Sequence, residues 1–158
     1  MSLPREHVRD DYPRPAICEP FEYVVTIDVA DRTIVFATGG YRALETYHPP
    51  SYYLPMASVA EGILRPNPKR TLCEWKGEAS YFDVVVGGRV LEAAAWTYRN
   101  PTPDFAPIKD HVAFYAEPMD RCTVADVVVQ PQAGNFYGGW VTPNLEGPIK
   151  GAPGTVHW

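Results

Sequence analysis

Residues 71–99, TLCEWKGEASYFDVVVGGRVLEAAAWTYR, decide the fold. TLCEWKG, ASYFDVVV and RVLEAAAWTYR are rich in β-branched and aromatic residues, the types that suit a pleated, half-buried surface. Gly87-Gly88 between the last two supplies the positive φ angles that a two-residue hairpin turn needs. Three consecutive strands of an antiparallel meander are expected here. Upstream, FEYVVTIDVADRTIVFAT predicts a hairpin with strands at 23–28 and 33–38, and Gly39-Gly40 marks a second turn. YRALETY then alternates as a strand until Pro49-Pro50 stops the ladder, because proline donates no hydrogen bond and keeps the residue before it extended.

In MASVAEGIL, residues 56–64, Val59, Ile63 and Leu64 can share a helical face and Pro66 lies just beyond, so one short helix is expected there. HVAFYA and TVADVVVQ read as further strands. From Pro131 the chain turns to Gly, Pro and Trp. The expected organisation is an extended lead-in over 1–20, a β domain over 21–130, and a C-terminal strap over 131–158 packed on it. No repeat and no strand–helix–strand alternation appears, so the fold class is mainly β: a small antiparallel barrel or meander.

The length of 158 residues fits one domain. Fourteen Lys plus Arg against nineteen Asp plus Glu gives a net charge of −5 with no basic block, which disfavours nucleic acid as a partner. Cys18, Cys73 and Cys122 are odd in number and never form C-x-x-C, arguing against a disulfide framework or a zinc knuckle and for a reduced cytoplasm. The first residues lack the apolar run of a secretory signal, and no apolar stretch approaches the ~20 residues of a membrane span.

Candidate site residues gather around the proline corner and the meander. Strand parity puts Tyr41, Ala43, Glu45 and Tyr47 on one face and Leu44 on the other, toward the core. Glu45 is then a surface carboxylate or, if a closed barrel surrounds a cavity, a general base or hydrogen-bond acceptor held by Pro49, Tyr52 and Tyr53. YHPPSYYLP, residues 47–55, reads as a stiff corner whose prolines direct Tyr52 and Tyr53 off the sheet edge to cover one end of the barrel. In CEWKG, parity pairs Cys73 with Trp75, so a Cys73–Lys76 contact needs a bulge near Gly77. Cys73 is a small core residue or a nucleophile; Lys76 is a surface lysine or a binder of an anion or carbonyl. Trp96 and Tyr98 share a face with Ala94, as core packing or as a wall for a flat ligand. His48, His111 and His157 lack ligand spacing, and a metal would have to be assembled through space, for instance by Glu45, His48 and Cys73; neither metal nor cofactor is expected.

Three functions stay open. One is binding of a small molecule or modified residue in an aromatic-lined mouth of Tyr52, Tyr53, Trp75, Trp96 and Tyr98, oriented by Glu45 and Lys76. The second is an enzyme using Glu45 as general base with Lys76 or Cys73 as electrophile or nucleophile. The third is a protein–protein interaction module. Glu45, Tyr53, Lys76 and Trp96 are expected to line one concavity, with Glu45 or Lys76 in a charge-assisted hydrogen bond.

ETYHPPSYYLP, CEWKGEASYF, AAAWTY and IKDHVAFY, in this order, resemble the bacterial domain-of-unknown-function family 427, over residues 24–115. The resemblance implies a small complex β fold of the Mss4-like kind, without a matching set of zinc cysteines, and implies no established activity. YGGWVT and the residues after it resemble an extension carried by some members. A nucleotidyltransferase-like label given to the family asks for closely spaced carboxylates and a phosphate-binding turn. The adjacent pair Asp10-Asp11 lies in the lead-in, no D-x-D occurs, and ATGGYR reads as a hairpin turn.

Overall fold

The structure, a computed structural model, describes residues 3–133, 137–151 and 154–155. In chain order the strands are β1 (Glu6–His7), β2 (Ile17–Phe21), β3 (Val25–Val29), β4 (Arg32–Ala37), β5 (Gly40–Leu44), β6 (Ser51–Pro55), β7 (Leu64–Cys73) and β8 (Gly77–Val86). They continue as β9 (Arg89–Tyr98), β10 (His111–Phe114), β11 (Arg121–Val124), β12 (Val127–Val128), β13 (Gln130–Pro131), β14 (Trp140–Val141) and β15 (Leu145–Glu146). The central meander forms as expected: β7, β8 and β9 are neighbours in one antiparallel sheet, and Val86 pairs with Arg89 across a turn in which Gly87 has φ +59°.

That sheet has seven strands in the order β2-β5-β6-β10-β9-β8-β7; a second has four, β12-β11-β3-β4. Neither closes, so the expected barrel is replaced by two open layers. The smaller sheet covers one face of the larger, and burial is achieved by stacking layers rather than by closure. Val25, Ile27, Val29 and Val124 from the smaller sheet meet Tyr52, Leu54, Val84, Val112 and Phe114 from the larger in the main core. The opposite face of the large sheet carries a second cluster that includes Ala43, Tyr53, Tyr81, Trp96 and Tyr98, closed at one side by Phe105 and Ile108 of the 3-10 turn Pro103–Ile108.

The expected helix at MASVAEGIL is a single 3-10 turn, Met56–Ser58. Its apolar residues find sheet partners instead: Val59 bridges Val35, the carbonyl of Ile63 accepts from Val85 N–H at 2.8 Å, and Leu64 opens β7. Pairing to a sheet overrides a weak helical period. Pro66 therefore sits inside β7, tolerated because β7 is an edge strand.

Described residues of both the lead-in and the C-terminal segment enter the fold. The lead-in supplies β2, paired with β5 from Ile17 against Leu44 to Phe21 against Gly40. Arg42, 7 % exposed, is gripped by Glu6 through two bonds of 3.0 Å and by Glu19 at 2.8 Å. Burial alone works against the guanidinium charge, but the two carboxylates outweigh it and hold the pKa of Arg42 above its free value. At the other end Trp140 is fully buried: its Nε1–H donates to the Phe114 carbonyl at 2.8 Å and its ring stacks on Tyr52 at 5.3 Å.

A candidate ligand-binding cleft

Between the corner after β5 and the turn joining β7 to β8 lies a cleft of about 330 Å³. Parity operates along β5: Ala43 and Glu45 face the cleft, whereas Leu44 packs with Val8 and Tyr12 on the other side. Ser51–Pro55 is itself the inner strand β6, not a cover over a sheet edge. Tyr52 and Tyr53 consequently point to opposite faces. Tyr53 enters the cleft, while Tyr52 goes to the main core against Phe21 and Trp140 and does not line it.

The floor is made by Tyr53, Tyr81, Trp96 and Tyr98, all buried. Trp96 Nε1–H donates to Tyr53 Oη at 3.3 Å, and its ring lies 4.6 Å from that of Tyr115. Burial raises the phenol pKa of Tyr53 and Tyr98, so both stay protonated and serve as hydrogen-bonding groups rather than bases. Ala94 leaves this face and joins the main core. The cause is a register shift opposite Asp83, where Ala93 has φ +48° and its N–H donates to Asp83 Oδ1 at 2.8 Å.

Cys73 ends β7 opposite Gly77, and Glu74, Trp75 and Lys76 form the intervening turn. Thr102 braces that turn, its Oγ1–H donating to the Trp75 carbonyl at 2.5 Å and its N–H to the Lys76 carbonyl at 3.0 Å. Cys73 and Lys76 meet across the turn, without a bulge: Lys76 Nζ donates to Cys73 Sγ at 3.6 Å and lies 5.6 Å from the centre of the Phe105 ring. Glu45, Tyr53, Lys76 and Trp96 all line the one cleft, together with Cys73 and Trp75. Among the described residues Glu45 has no side-chain hydrogen bond or ion pair, whereas Lys76 makes a charge-assisted bond to the Cys73 sulfur. Glu45, His48 and Cys73 are not grouped as metal ligands among the described residues. His157 lies outside the described residues.

Several lining residues were not singled out from sequence: His48 as a cleft residue, Tyr81, Gln132, Tyr137, Gly138 and Lys150. Tyr81 was recoverable, since parity along β8 sets Ala79 and Tyr81 together against Phe82. His48 comes from the proline corner, and Gln132, Tyr137, Gly138 and Lys150 arrive from the C-terminal segment, which crosses the indole of Trp96 so closely that a Cβ on Gly138 would lie 2.2 Å from Trp96 Cη2. His48 is held at low pKa chiefly by burial, with Lys150, Lys76 and Arg14 pushing the same way and Glu45 opposing.

A family model described as a domain of unknown function, DUF427, matches residues 17–125. The chain belongs to the DUF427 family. No curated protein matches it. The DUF427 match covers the floor of the cleft, the proline corner and the β7–β8 turn, but ends before Gln132, Gly138 and Lys150. None of the helices among the described residues is long and apolar enough to cross a membrane.

Proposed function

We propose that this DUF427 protein binds a small planar molecule or a modified side chain in the cleft, with the aromatic floor beneath it and Glu45 and Lys76 fixing its orientation. The observation that carries the reading is the composition of one concavity: a floor of buried rings, and a half-buried carboxylate, Glu45, that makes no side-chain hydrogen bond or ion pair among the described residues. Pockets that take small ligands combine apolar walls with a few convergent polar groups, in volumes from ~300 Å³ upward. At about 330 Å³ the cleft suits a ligand of one or two rings.

Ligand-observed NMR with benzoate, indole-3-carboxylate and their uncharged amides tests this. Expected are saturation transfer to the carboxylates, protein shifts confined to residues lining the cleft, the indoles of Trp75 and Trp96 among them, and a loss of about tenfold in affinity in Lys76→Met, the effect of one charged hydrogen bond. Shifts that map elsewhere on the molecule, or no binding across the panel, would refute it. A second reading, covalent chemistry at Cys73, is favoured by the 3.6 Å approach of the Lys76 ammonium, a cation placed to hold an anionic or carbonyl group against the sulfur.

A further inference from the structure

Gln132 is 5 % exposed and its amide has three partners. Its Oε1 accepts from Gly139 N–H at 3.2 Å, its Nε2 donates to the Lys150 carbonyl at 2.6 Å, and the same Nε2 lies 3.4 Å from His48 Nδ1. The first two partners have no choice of role, because a backbone N–H only donates and a backbone carbonyl only accepts. They settle which end of the amide is oxygen, a distinction heavy-atom positions do not make by themselves. One of the two amide hydrogens goes to Lys150. The other faces His48 Nδ1, which must then be the accepting nitrogen of the ring. The proton of the neutral imidazole sits on Nε2, and an imidazolium would set Nδ1–H against the amide N–H.

The groups around His48 act together with this bond. Glu45, on the same corner, favours the cation; Lys150 from the C-terminal segment, Lys76 from the β7–β8 turn and Arg14 from the N-terminal segment oppose it. The Tyr137 ring lies 5.3 Å from the imidazole and closes another side.

We propose that Gln132 is a positioning residue that locks His48 as the neutral Nε2–H tautomer, and that this N–H is the donor by which the cleft selects an acceptor oxygen, carboxylate or carbonyl, on its ligand. The second half rests on the binding function proposed above; the first half concerns the ligand-free protein and stands without it. Gln132 lies outside the stretch matched by the DUF427 model, so the selection is contributed by the C-terminal extension.

Long-range ¹H–¹⁵N correlation spectra of the full, ligand-free chain test the first half, with His48 assigned by comparison with His48→Asn. Expected is an unprotonated Nδ1 and a protonated Nε2 at neutral pH, persisting below the free imidazole value of about 6.5. Gln132→Glu, which places a carboxylate beside Nδ1, should raise the apparent pKa of His48 by about one unit or more. A purely structural role for Gln132 would change stability and leave the tautomer and titration where they are. An Nδ1–H tautomer or an imidazolium in the wild type at neutral pH overturns the proposal, as does an unchanged titration in folded Gln132→Glu. If that variant does not fold, the wild-type spectrum decides alone. For the second half, benzoate should shift the His48 Nε2–H resonance and benzamidine should not. Benzoate that binds beside Lys76 without touching His48 overturns the donor role. The expected tautomer with no benzoate response anywhere leaves Gln132 as the positioning residue and refutes the binding function instead.

Discussion

Gly138→Ala should destabilise the protein by about 1–2 kcal/mol, through one steric contact. The added Cβ would lie 2.2 Å from Trp96 Cη2 and 3.0 Å from Cζ2 and Cζ3, where carbon atoms settle at ~3.5–4.0 Å. Either the strap or the indole has to move by more than an ångström. Trp96 is poorly placed to yield: its strand is paired on both sides, to Tyr81 and to Ala113, and its Nε1–H is bonded to Tyr53. Gly138 has no positive φ, so backbone strain adds nothing. Overpacking of this kind costs roughly 1–3 kcal/mol, and the restricted unfolded chain of alanine returns about 0.4–1 kcal/mol. For a chain of this length, 1–2 kcal/mol corresponds to a Tm lower by about 2–8 °C. Urea unfolding followed by tryptophan fluorescence measures it, with Gly88→Ala as the control. Gly88 has nothing within 4 Å of a built Cβ, and that variant should stay within about 0.5 kcal/mol of wild type. Equal midpoints for the two variants, with the Trp96 indole N–H resonance unmoved in Gly138→Ala, would refute the close crossing of the strap over Trp96.

Glu6→Gln removes the bidentate partner of buried Arg42 but leaves Glu19, so the expected cost is about 1.5–3 kcal/mol, that of hydrogen bonds to a charged group, rather than the ~3–5 kcal/mol of a wholly unpaired charge. A change below about 0.5 kcal/mol by urea titration would show that the pair behaves like an exposed one. The Cys122 thiol is pushed up to about 12, mainly by burial and further by Asp28. The folded chain keeps a proton that the unfolded chain releases, so the stabilisation is complete below the free value of 9.0 and fades as pH rises from there toward 12. Urea midpoints of wild type should fall over that window more than those of Cys122→Ala. In native protein iodoacetamide should spare buried Cys122, and its reaction at half-buried Cys73 should slow in Lys76→Met; an unchanged Cys73 rate would remove the basis for covalent chemistry there.

The meander was legible because its signals were local: β-branched runs and a Gly-Gly turn fix β7, β8 and β9 without reference to the rest of the chain. The barrel was not, since whether a sheet closes or is covered depends on pairing between distant segments, here β3 with β11 across more than ninety residues. The short helix failed for the same reason. Val59 and Ile63 satisfy a helical period, but their segment is tied to neighbouring strands: Val59 lies opposite Val35 with Ala60 N–H donating to the Ile34 carbonyl at 2.7 Å, and the Ile63 carbonyl accepts from Val85 N–H. Ala94 could not have been placed by parity, because the positive φ of Ala93 shifts the alternation by one residue, and alanine carries no mark of a bulge. Tyr52 could have been: once Ser51–Pro55 is a strand, adjacent tyrosines cannot share a face.

The stiffness read into YHPPSYYLP also has another source than its prolines. Tyr47 holds φ +71°, a left-handed conformation that costs a bulky residue free energy and persists only where its surroundings over-determine it. They do. Tyr47 N–H donates to the Val8 carbonyl at 3.0 Å, and its own carbonyl accepts from Lys150 N–H at 2.8 Å. Thr46 N–H donates to the Pro13 carbonyl at 2.9 Å, and the Pro50 carbonyl accepts from Trp140 N–H at 2.8 Å. The corner is therefore stapled by the lead-in on one side and the strap on the other, and neither staple can be read from the corner itself. Glu45 and His48 flank Tyr47, so the bonds that hold its conformation also set where both side chains enter the cleft. Segments that look like appendages in the sequence, through Val8 and Pro13 on one side and Trp140 and Lys150 on the other, are what brace the proline corner as a wall of the cleft.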